Sequence, residues 1–252
     1  PTPPPQPDPP PKPRPGPAPK DSDAIAVIGM SGRFPGAADL DRYWDNLLHN
    51  RDLITEIPQD RWDWRTYYGE PEAEDRKTKV KWGGFIDHAD CFDPLFFGIS
   101  PLEAEAMDPQ FRLLLETAWA AIEDAGYAPS ALAGTKTGVF TGVSSLDYRD
   151  LWQRAGQAVC IPESTGPYSF AVANRISYIF DFHGPSEIVD TACSSSLTAI
   201  HRAVESLKQG SCETALAGGV NLIANPDLTL SFSQSGILSD DGRCKSFDTR
   251  AN

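Results

Sequence analysis

One short stretch holds the residues best suited to covalent chemistry: Asp190-Thr191-Ala192-Cys193-Ser194-Ser195-Ser196-Leu197. An apolar run ends at Asp190, and a helical pattern with Leu197, Ile200, Val204 and Leu207 on one face begins a few residues later. Cys193 therefore falls at a strand-to-helix turn, beside the unpaired backbone N–H groups of the helix start. The partial positive charge there favours the thiolate, which is the nucleophilic form. The same N–H groups can hydrogen-bond the oxyanion of a carbonyl under attack. The residues also allow a plainer role. A cysteine in an Ala/Ser-rich turn is a small buried filler, and a helix so rich in Ser and Ala can itself be deeply buried.

A thiol nucleophile is commonly served by a histidine. The chain has four, His49, His88, His183 and His201. His201 lies eight residues beyond Cys193, about 12 Å away along a helix, too far for a hydrogen bond. His183, in Asp181-Phe182-His183-Gly184-Pro185, fits a turn before the strand that leads to the cysteine, and His49 and His88 sit in polar surroundings. None is a convincing partner. The other cysteines, Cys91, Cys160, Cys212 and Cys244, lack a comparable setting and read as packing residues. Five scattered cysteines without a C-x-x-C pair give neither a disulfide framework nor a zinc site, and the cytoplasm is the default compartment.

The elements that must place Cys193 follow from periodicity. Apolar runs predict strands at Ala24–Gly29 (buried), Thr137–Thr141, Glu187–Asp190 and Ala215–Val220. Helical spacing appears at Asp39–Asn50, near Tyr168–Phe180 and over Ser194–Lys208. Another helix is marked by Asp108 as cap, Pro109 at the first position and Gly126 as stop. Residues 51–106, rich in Trp, Tyr, Pro and Gly, predict a long excursion with little regular structure. Strand and helix alternate, so an α/β fold with a largely parallel sheet is expected.

Composition excludes several function classes. The 252 residues carry a net charge of −13, which opposes general binding to nucleic acid or anionic membranes. No apolar run approaches the roughly 18–20 residues of a membrane span. Gly29-Met30-Ser31-Gly32 lacks the G-x-G-x-x-G spacing and G-x-x-x-x-G-K-[ST] is absent, so the glycines are read as a tight turn. Twelve of the 23 prolines fall in the first 19 residues, which predicts an extended, flexible spacer over residues 1–22 or a ligand for a proline-recognising module. Arg76-Lys77-Thr78-Lys79-Val80-Lys81 is the densest basic stretch, either a docking patch or a solvated loop edge.

The Cys193 stretch resembles the active-site motif of β-ketoacyl synthase domains in modular type I polyketide synthases. Ile25-Ala26-Val27-Ile28-Gly29-Met30-Ser31-Gly32-Arg33-Phe34-Pro35-Gly36 resembles the family's opening strand and loop. Met107-Asp108-Pro109-Gln110-Phe111-Arg112 resembles the start of its long helix. Ala173-Asn174-Arg175-Ile176-Ser177-Tyr178, His183-Gly184-Pro185-Ser186 and Gly242-Arg243-Cys244-Lys245-Ser246-Phe247-Asp248 resemble further segments in the same order. The resemblance spans residues 23–252 and implies the N-terminal half of a thiolase-like fold, layered αβαβα, usually homodimeric.

It also implies that Cys193 is catalytic, accepting an acyl chain from the phosphopantetheine arm of an acyl carrier protein. No cofactor is bound directly. Decarboxylative Claisen condensation would follow once a C-terminal half supplies the family's two catalytic histidines, which match nothing in this chain. The start at Pro1 and the stop at Asn252 read as the edges of a piece, so this chain alone is not expected to condense. Two other readings stand beside this one: a half of a non-elongating acyl-transfer ketosynthase, and a structural or interaction module in which Cys193 only packs.

Overall fold

The structure, a computed structural model, describes residues 24–145, 147–155 and 168–251. The proline-rich segment 1–22 and Cys160 lie outside the described residues. In chain order the elements are α1 (Leu40–Leu48), a short antiparallel pair β1 (Thr55–Glu56) and β2 (Trp82–Gly83), α2 (Pro101–Ala106) and α3 (Pro109–Asp124). They continue with β3 (Thr137–Gly142), α4 (Asp147–Arg154), α5 (Ala171–Phe180), β4 (Ser186–Val189), α6 (Ser195–Lys208), β5 (Thr214–Gly219) and α7 (Asp227–Gln234).

β3 is buried along its whole length and lies between β4 and β5, parallel to both. Its side chains alternate between two cores, as a strand's twofold period requires. Val139 points to a cluster with Phe111, Leu115, Val172 and Ile176 from α3 and α5. Phe140 points the other way, to Val189, Ala199, Ala203 and Cys212 under α6. A parallel sheet with helices on both faces is the arrangement the alternating sequence predicts.

Aspartate side chains cap two helix starts, and the cap and stop predicted at Asp108 and Gly126 are both present. Asp39 Oδ1 accepts from Arg42 N at 2.8 Å to start α1. Asp108 Oδ1 accepts from Gln110 N at 2.9 Å to start α3, with Pro109 at its first position. Beyond its end Gly126 takes φ +80°, a conformation glycine adopts without strain.

Two expectations are corrected. Residues 24–29, expected as a buried strand, pair with no described strand. Val27 is 78% exposed and Ile28 53%. An apolar run signals that surface must be covered, but a strand also needs an edge to pair with. Gly29 lies close against α3, where a Cβ would stand 2.4 Å from Ala121 O. Second, α6 turns its small residues, Ser195, Ala199, Ala203 and Ser206, to the interior, and leaves Leu197 (71%) and Ile200 (45%) exposed. The stretch 51–106 holds little regular structure, as expected: the two-residue strands β1 and β2, a short 3-10 turn at Trp64–Thr66, and α2, which Ser100 caps by accepting from Glu103 N.

Candidate active site

The three parallel strands end level: Gly142 is in register with Val189 on one side and Gly219 on the other. Loops after the carboxyl ends of such strands are where α/β sheets place ligands. Here the described parts are residues 143–145, 190–194 and 220–226.

Residues 190–194 form a tight turn that carries Cys193. Ala192 has φ +55°, a left-handed conformation that costs a side-chain-bearing residue roughly 1–2 kcal/mol. Hydrogen bonds hold it there. Ser195 Oγ accepts from Thr191 N (2.9 Å) and donates to Ala192 O (2.7 Å), closing the turn across its mouth. Asp190 Oδ1 accepts from Ser144 Oγ (2.7 Å) and from Ala192 N (3.1 Å). The Ser144 hydroxyl, and then the Ala192 amide, hold the Asp190 carboxyl below its ordinary range.

Cys193 is exposed at the mouth of this turn, one residue before the Ser194 cap position of α6. Its thiol makes no hydrogen bond among the described residues, and its backbone N–H has no acceptor among them. α6 begins directly on the strand ends. A Cβ at Gly142 would stand 2.7 Å from the Ser195 carbonyl carbon, and one at Gly219 would stand 2.8 Å from Ser196 Cβ. Only glycine lets the helix start sit so low.

A buried polar network braces the flanking loops. Gln110, 1% exposed, donates from Nε2 to Ser145 O (2.8 Å) and accepts at Oε1 from Leu222 N (3.1 Å). Asp147 Oδ1 accepts from Ser145 Oγ (2.6 Å), while its Oδ2 accepts from Ala224 N (3.1 Å). Asn225 Nδ2 donates to Asp147 O (3.1 Å). Burial raises the Asp108 carboxyl to about 6, against hydrogen bonds from Gln110 that pull it down. A concavity of about 300 Å³ beside this network is lined by Arg61, Arg112, Tyr148 and Leu222 among others, and does not include Cys193.

The histidines are all exposed, and none is hydrogen-bonded to the Cys193 thiol among the described residues. His183 Nε2 lies 3.0 Å from Asp181 Oδ1, His201 Nε2 is 3.6 Å from Glu205 Oε1, and His49 Nδ1 is 2.8 Å from Asp45 O. Cys212 is buried, as expected for packing, with Sγ 3.2 Å from Ser206 Oγ. Cys91 and Cys244 are exposed, which corrects their reading as packing residues. The basic stretch is engaged throughout. Arg76 pairs with Asp227, Lys79 with Glu70 and Lys81 with Glu56, and Lys77 Nζ donates to Thr66 O. No group of three or more metal-ligating side chains occurs among the described residues.

Sequence reasoning missed Ser144, Ser195, Gln110, Asp147 and Asn225. Ser195 had a signal, a hydroxyl two residues past the cysteine at a helix start. Gln110 was read only as part of a helix start, because its partners lie 35 and 112 residues away.

Residues 22–252 match the family described as β-ketoacyl synthase, N-terminal domain. The polyketide synthase PksN of Bacillus subtilis 168 is 54% identical over 228 residues, covering 90% of this chain and 4% of that protein. The oxazolomycin ketosynthase domain of OzmH from Streptomyces albus superimposes with a TM-score of 0.82 at 43% identity, over 89% of this chain and 38% of that one. The module 6 ketosynthase of the Bacillus subtilis bacillaene synthase gives 0.77 at 42% identity, over 88% and 36%. The chain thus spans a small part of that relative and less than two-fifths of these ketosynthase structures, and it shares their thiolase-like fold.

Proposed function

This chain belongs to the β-ketoacyl synthase family, as its N-terminal domain, and we propose that Cys193 is the acyl-accepting nucleophile of a polyketide chain-elongating ketosynthase. The observation that carries the proposal is the exposed Cys193 thiol at the start of α6, beside its own N–H, which has no acceptor among the described residues. The substrate class is an acyl thioester on the phosphopantetheine arm of an acyl carrier protein.

The chemistry follows from this placement. The Cys193 thiolate attacks the thioester carbonyl carbon, and the oxyanion that forms takes a hydrogen bond from the Cys193 N–H. Collapse forms the Cys193 thioester and breaks the carrier's carbon–sulfur bond. The carrier sulfur leaves and takes up the proton that the cysteine gave up. In condensation, a carbanion generated by decarboxylation of a carrier-bound extender attacks this thioester, forms the carbon–carbon bond and returns the Cys193 thiolate. That step calls for a C-terminal half bearing the two histidines the family resemblance implies, and the working unit is proposed to be a homodimer of the completed domain.

Incubation with an acyl N-acetylcysteamine thioester or an acylated carrier protein tests the transfer. One acyl group on Cys193 by peptide mass spectrometry, lost in Cys193→Ser and kept in Cys212→Ser, is the expected result. An unlabelled Cys193 when the C-terminal half is also supplied overturns it.

A further inference from the structure

The geometry points to Gln110 as a positioning residue for the Cys193 turn: its side-chain amide joins the loop after β3 to the loop after β5, and the first of these is hydrogen-bonded to the turn. The amide is 1% exposed and uses both ends. Nε2 donates to Ser145 O at 2.8 Å in the loop after β3, and Oε1 accepts from Leu222 N at 3.1 Å in the loop after β5. Both partners are backbone groups, so what Gln110 fixes is the path of the main chain.

The first of these loops reaches the nucleophile turn one residue earlier. Ser144 Oγ donates to Asp190 Oδ1 at 2.7 Å and lies 3.2 Å from Ser195 Oγ. These are the groups that hold Ala192 in its left-handed conformation. The chain of contacts therefore runs Leu222–Gln110–Ser145–Ser144–Asp190/Ser195–Cys193, and Gln110 itself touches no reacting atom. An amide suits the position because it offers one donor and one acceptor in a plane. A carboxylate has no donor for Ser145 O, and an apolar side chain leaves both backbone groups unpaired.

The inference rests on reading Cys193 as the acyl acceptor, and the experiment separates the two. In the full chain, Gln110→Met is expected to lower the rate constant of Cys193 alkylation by iodoacetamide, per reactive thiol, about tenfold, a coupling of ordinary size through a packed network. Acylation by a carrier thioester falls in kcat with KM unchanged. Phe182→Leu, a core change away from these loops, serves as the control for stability, matched by loss in Tm. Equal slowing by both variants, or unchanged alkylation in Gln110→Met, overturns the inference. Wild-type thiol that alkylates but is never acylated overturns the transfer reading instead.

Hydrogen exchange on the unsubstituted chain decides the matter where the Met variant does not fold. The Leu222 and Thr191 amides are expected to open with one shared free energy, and independent opening overturns the coupling.

Discussion

Gly142 and Ser195 approach so closely that a single methyl group on Gly142 would stand 2.7 Å from the Ser195 carbonyl carbon. The obstacle is backbone, so a larger residue cannot be absorbed by a side-chain rotation. Gly142→Ala is expected to lift the start of α6, cost about 1–3 kcal/mol as overpacking does, and slow Cys193 alkylation. Thermal unfolding and the alkylation rate, measured on the same sample, check both halves. A variant with unchanged Tm and rate would show that the helix start has slack.

Ser195→Ala removes the hydroxyl that spans the turn. Thr191 N–H and Ala192 C=O lose the partners that stand 2.9 and 2.7 Å away. The expected loss is about 0.5–1.5 kcal/mol in chemical denaturation, the usual net contribution of a hydrogen bond. Acylation of Cys193 should slow beyond what the fraction unfolded accounts for, because Ala192 is no longer held at positive φ.

Asp108 gives the fold a pH signature. Its carboxyl is raised by burial from 3.8 to about 6, so the folded chain holds the proton more tightly than the unfolded chain. Stability from this group is full below about pH 4 and falls as pH rises toward 6, by up to roughly 3 kcal/mol. Asp108→Asn keeps a side-chain acceptor for Gln110 N and does not titrate. The Tm of wild type minus that of the variant is therefore expected to decrease from pH 4 to pH 7. A difference that stays flat across that window would contradict the burial effect.

The basic stretch is expected to be silent in carrier docking. Its charges are already engaged by Asp227, Glu70 and Glu56. Exposed pairs of this kind contribute about 0–1 kcal/mol each. The triple change Lys77→Glu, Lys79→Glu and Lys81→Glu should leave the KM for an acylated carrier protein unchanged. A several-fold rise in KM at constant kcat would restore the stretch as a docking patch.

The parts of the molecule that could be read from sequence are those where the signal is local. β3, β4, β5, α3 and the turn at Cys193 follow from runs of neighbouring residues, and each lies within about a residue of its expected place. α7 was missed because Leu228, Leu230 and Phe232 alternate like a strand, whereas the chain turns at Asn225, whose Oδ1 accepts from Asp227 N, and enters a helix with Leu230 N donating to Pro226 O. α4 was missed because Asp-Tyr-Arg-Asp-Leu-Trp-Gln-Arg has no clear apolar stripe. The face of α6 could not be foreseen from hydrophobicity. Burial there is decided by how close the helix must come to two strand-ending glycines, which admits alanine and serine but not leucine. The support of the site was hidden for a related reason, since Gln110 and Asn225 act on partners far away in the chain.

The level ending of β3, β4 and β5 separates two demands on the same site. The height of the helix start is settled by main-chain registration and by glycines, while the path of the turn above it is settled by hydrogen bonds from the loops that follow β3 and β5. On the proposed role of Cys193, loop changes that spare Ser144, Ser145 and the Leu222 amide would alter what surrounds the sulfur without moving it.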